Sequence, residues 1–311
     1  MDIFLTGGGG FLGQHLTHSL LNDGYKVTIF DNFSNSSKKE LSSKKNKNLK
    51  IISGDIRNKK KLDDSIKNSQ TVIHLAAKID VNESIHFPLK TNEVNVTGTL
   101  NLLESCVKNK IKNIISASSA AIYGNSPSKI LRENSLKIPI SPYGISKLAM
   151  EYYLQSYSNT FGLNCISLRF FNIYGPNQPL EYGGVITKFI HNLISGKPII
   201  INGNGKITRD FVHVEDVVQS IKKSILNIDK KRGNSYNIAS GKSTSLNDLI
   251  SLLSKYSNIN FKVIHKSKKP GDIINSKASI FLAKKELNYS PKIKINQGIK
   301  KLIDLKFSEK N

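Results

Sequence analysis

Tyr143 and Lys147 are the first residues in this chain whose types and spacing could move a proton. A free phenol titrates near pH 10, and a neighbouring ammonium favours its anion and lowers that value, so such a pair can serve as a general base. The two can meet only on a helix. Ser141 is a good N-cap, and Pro142 suits the first helical position because its missing N–H would have had no partner there. Leu148, Ala149, Tyr152 and Tyr153 then recur at helical spacing. On that helix Tyr143 and Lys147 share a face one turn apart. Plain surface helices carry the same spacing, so the pair gains meaning only from what the rest of the chain places beside it.

The elements that must do the placing are strands. IFLT (3–6), KVTIF (26–30), LKIIS (49–53), TVIHLA (71–76), IKNIISA (111–117) and NCISLRF (164–170) are short β-branched runs separated by helical patterns. That rhythm predicts an α/β fold, a doubly wound parallel sheet of Rossmann type with helices on both faces. After about residue 172 the pattern loosens and Pro and Gly become frequent, which predicts a smaller, mixed α/β C-terminal domain. The domains expected are 1–171 and 172–311, with the stretch around 210–240 returning to the first. A helix is expected from Asn296 onward.

The first predicted strand runs into TGGGGFLG, in which Gly7, Gly10 and Gly13 have the spacing G-x-x-G-x-x-G. The glycines allow a tight turn, a close backbone approach to a pyrophosphate, and close packing of the following helix, whose N-terminus meets the phosphates. Asp31 ends the second strand. A carboxylate there can accept hydrogen bonds from the adenosine ribose and repel a 2′-phosphate, favouring NAD over NADP; capping a turn is the simpler use. Asp55 in SGDI is similarly placed toward the adenine amino group.

Composition removes several classes. The formal charge is +23, but the lysines are scattered among Asn, Ser and Ile without aromatic interleaving, which argues against dedicated nucleic-acid binding. No apolar run approaches the roughly 20 residues of a membrane helix. The N-terminus lacks a signal-peptide pattern, and Cys106 and Cys165 both lie in apolar segments, so no disulfide and a cytoplasmic location are expected. No His, Cys and carboxylate set has metal-ligand spacing, so no metal is expected.

TGGGGFLG, DNFS, GDIR, HLAA, NVTGTLNLLE, SSAAIYG, SPYGISK, LRFFNIYGP, GNGKITRDFVHVEDV and KPGDI stand in one order along nearly the whole chain. Together they resemble the extended short-chain dehydrogenase/reductase superfamily, within it the NAD-dependent nucleotide-sugar 4-epimerases acting on UDP-glucose or UDP-N-acetylglucosamine. The resemblance implies that Tyr143 is the base and that Lys147 steadies its anion and holds the nicotinamide ribose. It implies that Ser119 bonds the sugar's 4-oxygen, with Ser118 left to satisfy backbone. Further NAD contacts implied are Phe11, Leu12, Asn32, Asn35, Ser36, Ile56, Leu75, Ala76, Ala77 and Asn95, while His74 is read as structural. Asn172 and Arg209 match diphosphate contacts, Asp272 a residue near the nucleoside, and Lys269 replaces the family's usual Arg. Ser276, four residues after Asp272, would border the sugar's C2 substituent and, being small, admit an N-acetyl group. Ala120 and Ala121 stand where dehydratases carry acids, which disfavours elimination. The reaction implied is C4 oxidation, rotation of the keto sugar and hydride return, on a UDP-sugar, by a homodimer. A nucleotide-sugar dehydratase or reductase and a non-catalytic NAD-binding protein are the alternatives.

Overall fold

The computed structural model describes residues 1–37, 46–230, 233–267 and 276–308. Six parallel strands form where the β-branched runs stand: β1 (Asp2–Thr6), β2 (Lys26–Asp31), β3 (Leu49–Ser53), β4 (Thr71–His74), β5 (Asn113–Ser119) and β6 (Asn164–Phe170). Two short strands, β7 (Asn172–Tyr174) and β8 (Ile199–Asn202), lead to β9 (Thr208–His213) and β10 (Asn234–Ile238). β10 pairs in parallel with β6, so the large sheet has seven strands in the order β10-β6-β5-β4-β1-β2-β3. The order reverses between β1 and β4, and the crevice at such a switch point is where dinucleotides bind in this Rossmann-type architecture.

Alternation along the strands feeds two cores. Ile3, Leu5, Ile29, Ile73 and Ile115 face one side, against α1 (Phe11–Asn22). Phe4, Phe30, Val72 and Ile114 face the other. That second face is covered by α2 (Lys59–Ile66) and, beyond the short α3 (Val81–His86) and α4 (Pro88–Asn92), by α5 (Gly98–Lys108) and α6 (Pro142–Phe161). Burial on both faces explains why these strands read as apolar runs and not as half-polar alternation.

The C-terminal half adds α7 (Val185–Ile194), α8 (Val214–Asn227), β11 (Ser243–Ser245), α9 (Leu246–Ser257), β12 (Val263–Lys266), α10 (Phe281–Leu287) and α11 (Ile295–Ser308). Val217, Val218 and Ile221 of α8 join the first core, so this helix closes over the large sheet beside α1. β11, β9 and β7 make a three-stranded sheet, and β12 pairs with β8. A third core forms there from Phe189 and Leu193 of α7, Leu249 and Leu253 of α9, and Ile299 and Ile303 of α11. Among the described residues, no helix is long and apolar enough to cross a membrane.

Candidate active site

A cavity of about 720 Å³ runs from the glycine loop, past the ends of β4 and β5, to the wall made by β7, α7, β8 and β9. Gly7, Gly10, Phe11, Leu12 and Gly13 line its first end, with Asp31, Asn32, Asn35, Ser36, Asp55 and Ile56 beside them. Leu75, Ala76 and Ala77 form the middle, where Ser119, Tyr143 and Lys147 also open into it. Asn172 and Arg209 line the far wall. The structure therefore collects on one surface residues drawn from most of the chain's length.

The glycine loop fits a bound dinucleotide on geometric grounds. Gly7 has φ +73°, and a Cβ on it would lie 2.5 Å from the Ala76 amide nitrogen. A Cβ on Gly13 would lie 2.3 Å from the Gly7 carbonyl oxygen, so the third glycine sets how closely α1 packs on the loop. α1 starts at Gly10 with no side-chain cap, which leaves its first N–H groups for an anionic ligand. Asp31 holds this turn from the side: one carboxylate oxygen accepts from the Gly9 amide at 2.8 Å and the other from the Phe33 amide at 2.7 Å. Each oxygen keeps lone-pair capacity for a ribose hydroxyl.

Asp55 differs from its sequence reading. Its two oxygens accept from the Arg57 amide, the Arg57 guanidinium and the Asn32 side-chain amide. Arg57 holds this carboxyl well below the usual carboxylate range. With four acceptor positions already taken, little remains for an adenine amino group. Asp55 instead anchors Asn32 and Arg57, both of which line the cavity.

The proposed base sits on α6 as the capping pattern requires: Ser141 accepts from the Gly144 amide at 3.1 Å, and Pro142 is the first helical residue. Tyr143 reaches the cavity beside Ser119. Burial pushes the phenol above its ordinary value, with the Ser119 hydroxyl opposing. In the protein alone Lys147 does not oppose that rise; the downward shift expected of Lys147 together with the positive nicotinamide ring belongs to the NAD-bound protein. The Lys147 ammonium donates instead to the Ala117 carbonyl at 2.8 Å, and burial draws it down to about 8. The roles expected of the two serines are also redistributed. Ser119 accepts from the Ala121 amide while meeting Tyr143, and Ser118 turns away to donate to Glu151.

Asn95 lies behind the cavity wall, 1% exposed, in a π-helical turn (Glu93–Thr97). Its side-chain oxygen accepts from the Lys78 amide at 2.7 Å, and its nitrogen donates to the Lys78 carbonyl and to Ser146. It thus fixes the loop that carries Ala76 and Ala77 and does not itself line the cavity. His74 is structural: it lies between the Thr6 and Thr99 hydroxyls, and burial holds it at about 3, hence neutral.

On the far wall, Arg209 donates to the Thr208 carbonyl, and Asn172 donates to the Asp210 carbonyl at 3.2 Å. Ser276 is a correction. It is buried and absent from the cavity lining, with its amide donating to the Thr208 carbonyl at 3.2 Å. Lys269 and Asp272 fall outside the described residues. Sequence reasoning missed Phe171, Tyr174, Gln178, Tyr182, Ile200 and Leu246, all lining residues of this wall. No spacing marks them, because they come from separate loops and strand ends. Arg57 was within reach, standing inside GDIR.

The family model for NAD-dependent epimerases/dehydratases matches residues 3–239. The chain is 30% identical to a Thermotoga maritima UDP-glucose 4-epimerase solved with UDP-glucose, with TM-score 0.93 and all of both chains covered. It is 34% identical to a Methanobrevibacter ruminantium UDP-N-acetylglucosamine 4-epimerase solved with UDP-N-acetylmuramic acid, with TM-score 0.91 over 99% of this chain and 98% of that one. A CDP-paratose 2-epimerase of Salmonella typhi is 32% identical over 98% of each chain.

Proposed function

The chain belongs to the NAD-dependent epimerase/dehydratase family, and from that premise we propose that it is a UDP-sugar 4-epimerase interconverting UDP-glucose and UDP-galactose. One observation carries the choice of reaction. Among the described residues lining the cavity the only carboxylates are Asp31 and Asp55, both at the glycine-loop end and both hydrogen-bonded to protein. Beside Tyr143 stand Ser119, Lys147 and the short turn Ala120–Ile122. Elimination needs an acid there to protonate a departing hydroxyl. Removal and return of one proton needs only Tyr143.

NAD supplies a reversible hydride acceptor when bound. The chain's own residues do the proton work. Ser119 holds the 4-hydroxyl and passes its proton to Tyr143, beside which it stands in the cavity. Lys147, still mostly an ammonium at neutral pH, favours the phenolate once the cavity is filled and dry. Arg209 presents a planar fork to the diphosphate, and Asn172 supports it from β7. With the nucleotide anchored there, the sugar can turn either face toward Tyr143. The implied homodimer belongs to the same proposal.

The test is incubation of the purified protein with UDP-glucose, UDP-galactose and their N-acetylated counterparts, followed by separation of the C4 epimers. Epimer formation from UDP-galactose without net NADH production is expected. A 4-keto-6-deoxy product, or stoichiometric NADH turnover, would replace this reading with a dehydratase or reductase.

A further inference from the structure

Three consecutive residues at the end of β5 are each held by a residue from one of three successive turns of α6. Tyr143 stands beside the Ser119 hydroxyl, which opposes the effect of burial on its phenol. Lys147 donates to the Ala117 carbonyl at 2.8 Å. Ser118 donates to Glu151 at 2.5 Å. The α6 residues are spaced i, i+4, i+8, so they form one stripe, and of the three only Glu151 lies outside the cavity lining.

Glu151 is tied down in turn. The Arg169 guanidinium on β6 donates to both its oxygens, at 2.9 and 2.7 Å, and Ser235 of β10 donates to one of them. Arg169 also donates to the Tyr123 hydroxyl and to the Glu133 carbonyl, each at 2.8 Å. Glu151 and Arg169 are 6% and 3% exposed. An ion pair this deep gains little over a well-packed apolar pair, so stability alone does not call for it.

We propose that Glu151 is a positioning residue: its carboxylate fixes the end of β5 against α6 in the register that brings Ser119 to Tyr143 and Ala117 to Lys147. Its charge has a second effect, favouring the Lys147 ammonium against the burial that opposes it. The other titratable and charged groups of this neighbourhood are Tyr143 on α6, His74 on β4, which senses the Lys147 charge, Lys137, which senses Glu151 and Arg169, and Arg169 on β6, with Tyr123 and Glu133 beside Arg169.

The kinetic part of the test rests on the 4-epimerase reading; the labelling part does not. In the full-length protein, the pH midpoint of Lys147 acetylation by acetic anhydride is read by peptide mass spectrometry. Glu151→Gln is expected to lower that midpoint by on the order of one pH unit, because a cation loses its neighbouring anion. Ser118→Ala leaves the ion pair in place, so the midpoint should stay at its wild-type value. Its kcat for epimerisation should fall about ten- to a hundred-fold with KM unchanged, since a small misplacement of the reacting groups is enough. An unmoved midpoint in Glu151→Gln overturns the charge effect, and wild-type kcat in Ser118→Ala overturns the positioning role. Should Glu151→Gln not fold, Ser118→Ala decides alone. A wild-type protein that epimerises nothing refutes the function and leaves the labelling result to judge Glu151.

Discussion

Replacing Gly7 by alanine separates two costs that usually arrive together. The added Cβ would lie 2.5 Å from the Ala76 nitrogen, 2.7 Å from the Leu75 carbonyl carbon and 2.8 Å from the Ala76 Cα. All three are backbone atoms, so no side chain can swing aside. Gly7 also has φ +73°, a conformation that costs a non-glycine residue about 1–2 kcal/mol. Gly24, in the turn after α1, has φ +80° with nothing within 4 Å of its Cβ position. Gly24→Ala therefore bears the conformational cost alone. Gly7→Ala adds overpacking, about 1–3 kcal/mol, for a total of about 2–5 kcal/mol. It should also weaken NAD, because the loop and the Leu75–Ala76 wall can separate only by distorting the cavity between them. The assay is denaturant unfolding of both variants beside titration with NAD. At least tenfold weaker NAD binding, about 1.4 kcal/mol, is expected for Gly7→Ala and wild-type binding for Gly24→Ala. Equal losses of stability and unchanged NAD binding in both would refute the reasoning.

Tyr143→Phe should lower epimerisation about 10²–10⁴-fold while NAD binding persists, since the ring still packs but cannot accept a proton; near-normal rates would remove Tyr143 from the chemistry. Asp31→Asn should narrow the preference for NAD over NADP by removing the charge that repels a 2′-phosphate. Equal affinities in the wild type would show that Asp31 does not reach the ribose. His74 is neutral in the fold at about 3 and near 6.5 when unfolded, so its stabilising share is complete above about 6.5 and is lost as pH falls toward 3. That share is on the order of 4 kcal/mol, and His74→Gln should flatten the acid limb of stability by a measurable part of it. Asp210, raised to about 6 by burial, has the opposite sense between 3.8 and 6, so the comparison is the difference between variant and wild type in urea unfolding at each pH.

The fold was legible wherever the signal was local. LKIIS and NCISLRF became β3 and β6 at the same bounds, and the Ser141-Pro142 cap opened α6 as its chemistry requires. Site residues on those elements were legible too, because a strand end or a helix turn fixes where its side chain goes. What escaped depends on the environment. SSAAIYG assigns the chemistry to Ser119 only through the family resemblance; what turns Ser118 the other way is Glu151, held by Arg169, both distant in sequence and adjacent in space. Asn95 reads as a cofactor contact until the π-helical turn carries it behind the wall. The Tyr143 phenol shows the same dependence: in the protein alone desolvation raises it, a contribution that a pair spacing does not carry.

The two halves of the cavity are built by different means. Ser119, Tyr143 and Lys147 stand on β5 and α6, stitched together at three successive residues and backed by a buried ion pair. Such a frame leaves little room for movement, and the proton chemistry proposed for it is indifferent to the rest of the sugar. The opposite wall comes from short strands and loop-borne side chains, Tyr182, Ile200, Ile207 and Leu246 among them, resting on the separate third core. Changes there alter which sugar fits without disturbing the Tyr143–Ser119 contact. On the proposed function, selectivity for the C2 or C5 substituent is expected to follow that wall, and substitutions at Tyr182 or Ile200 should change relative KM values among UDP-sugars more than kcat. A substitution there that lowers kcat equally for every sugar would show that the two halves are mechanically coupled.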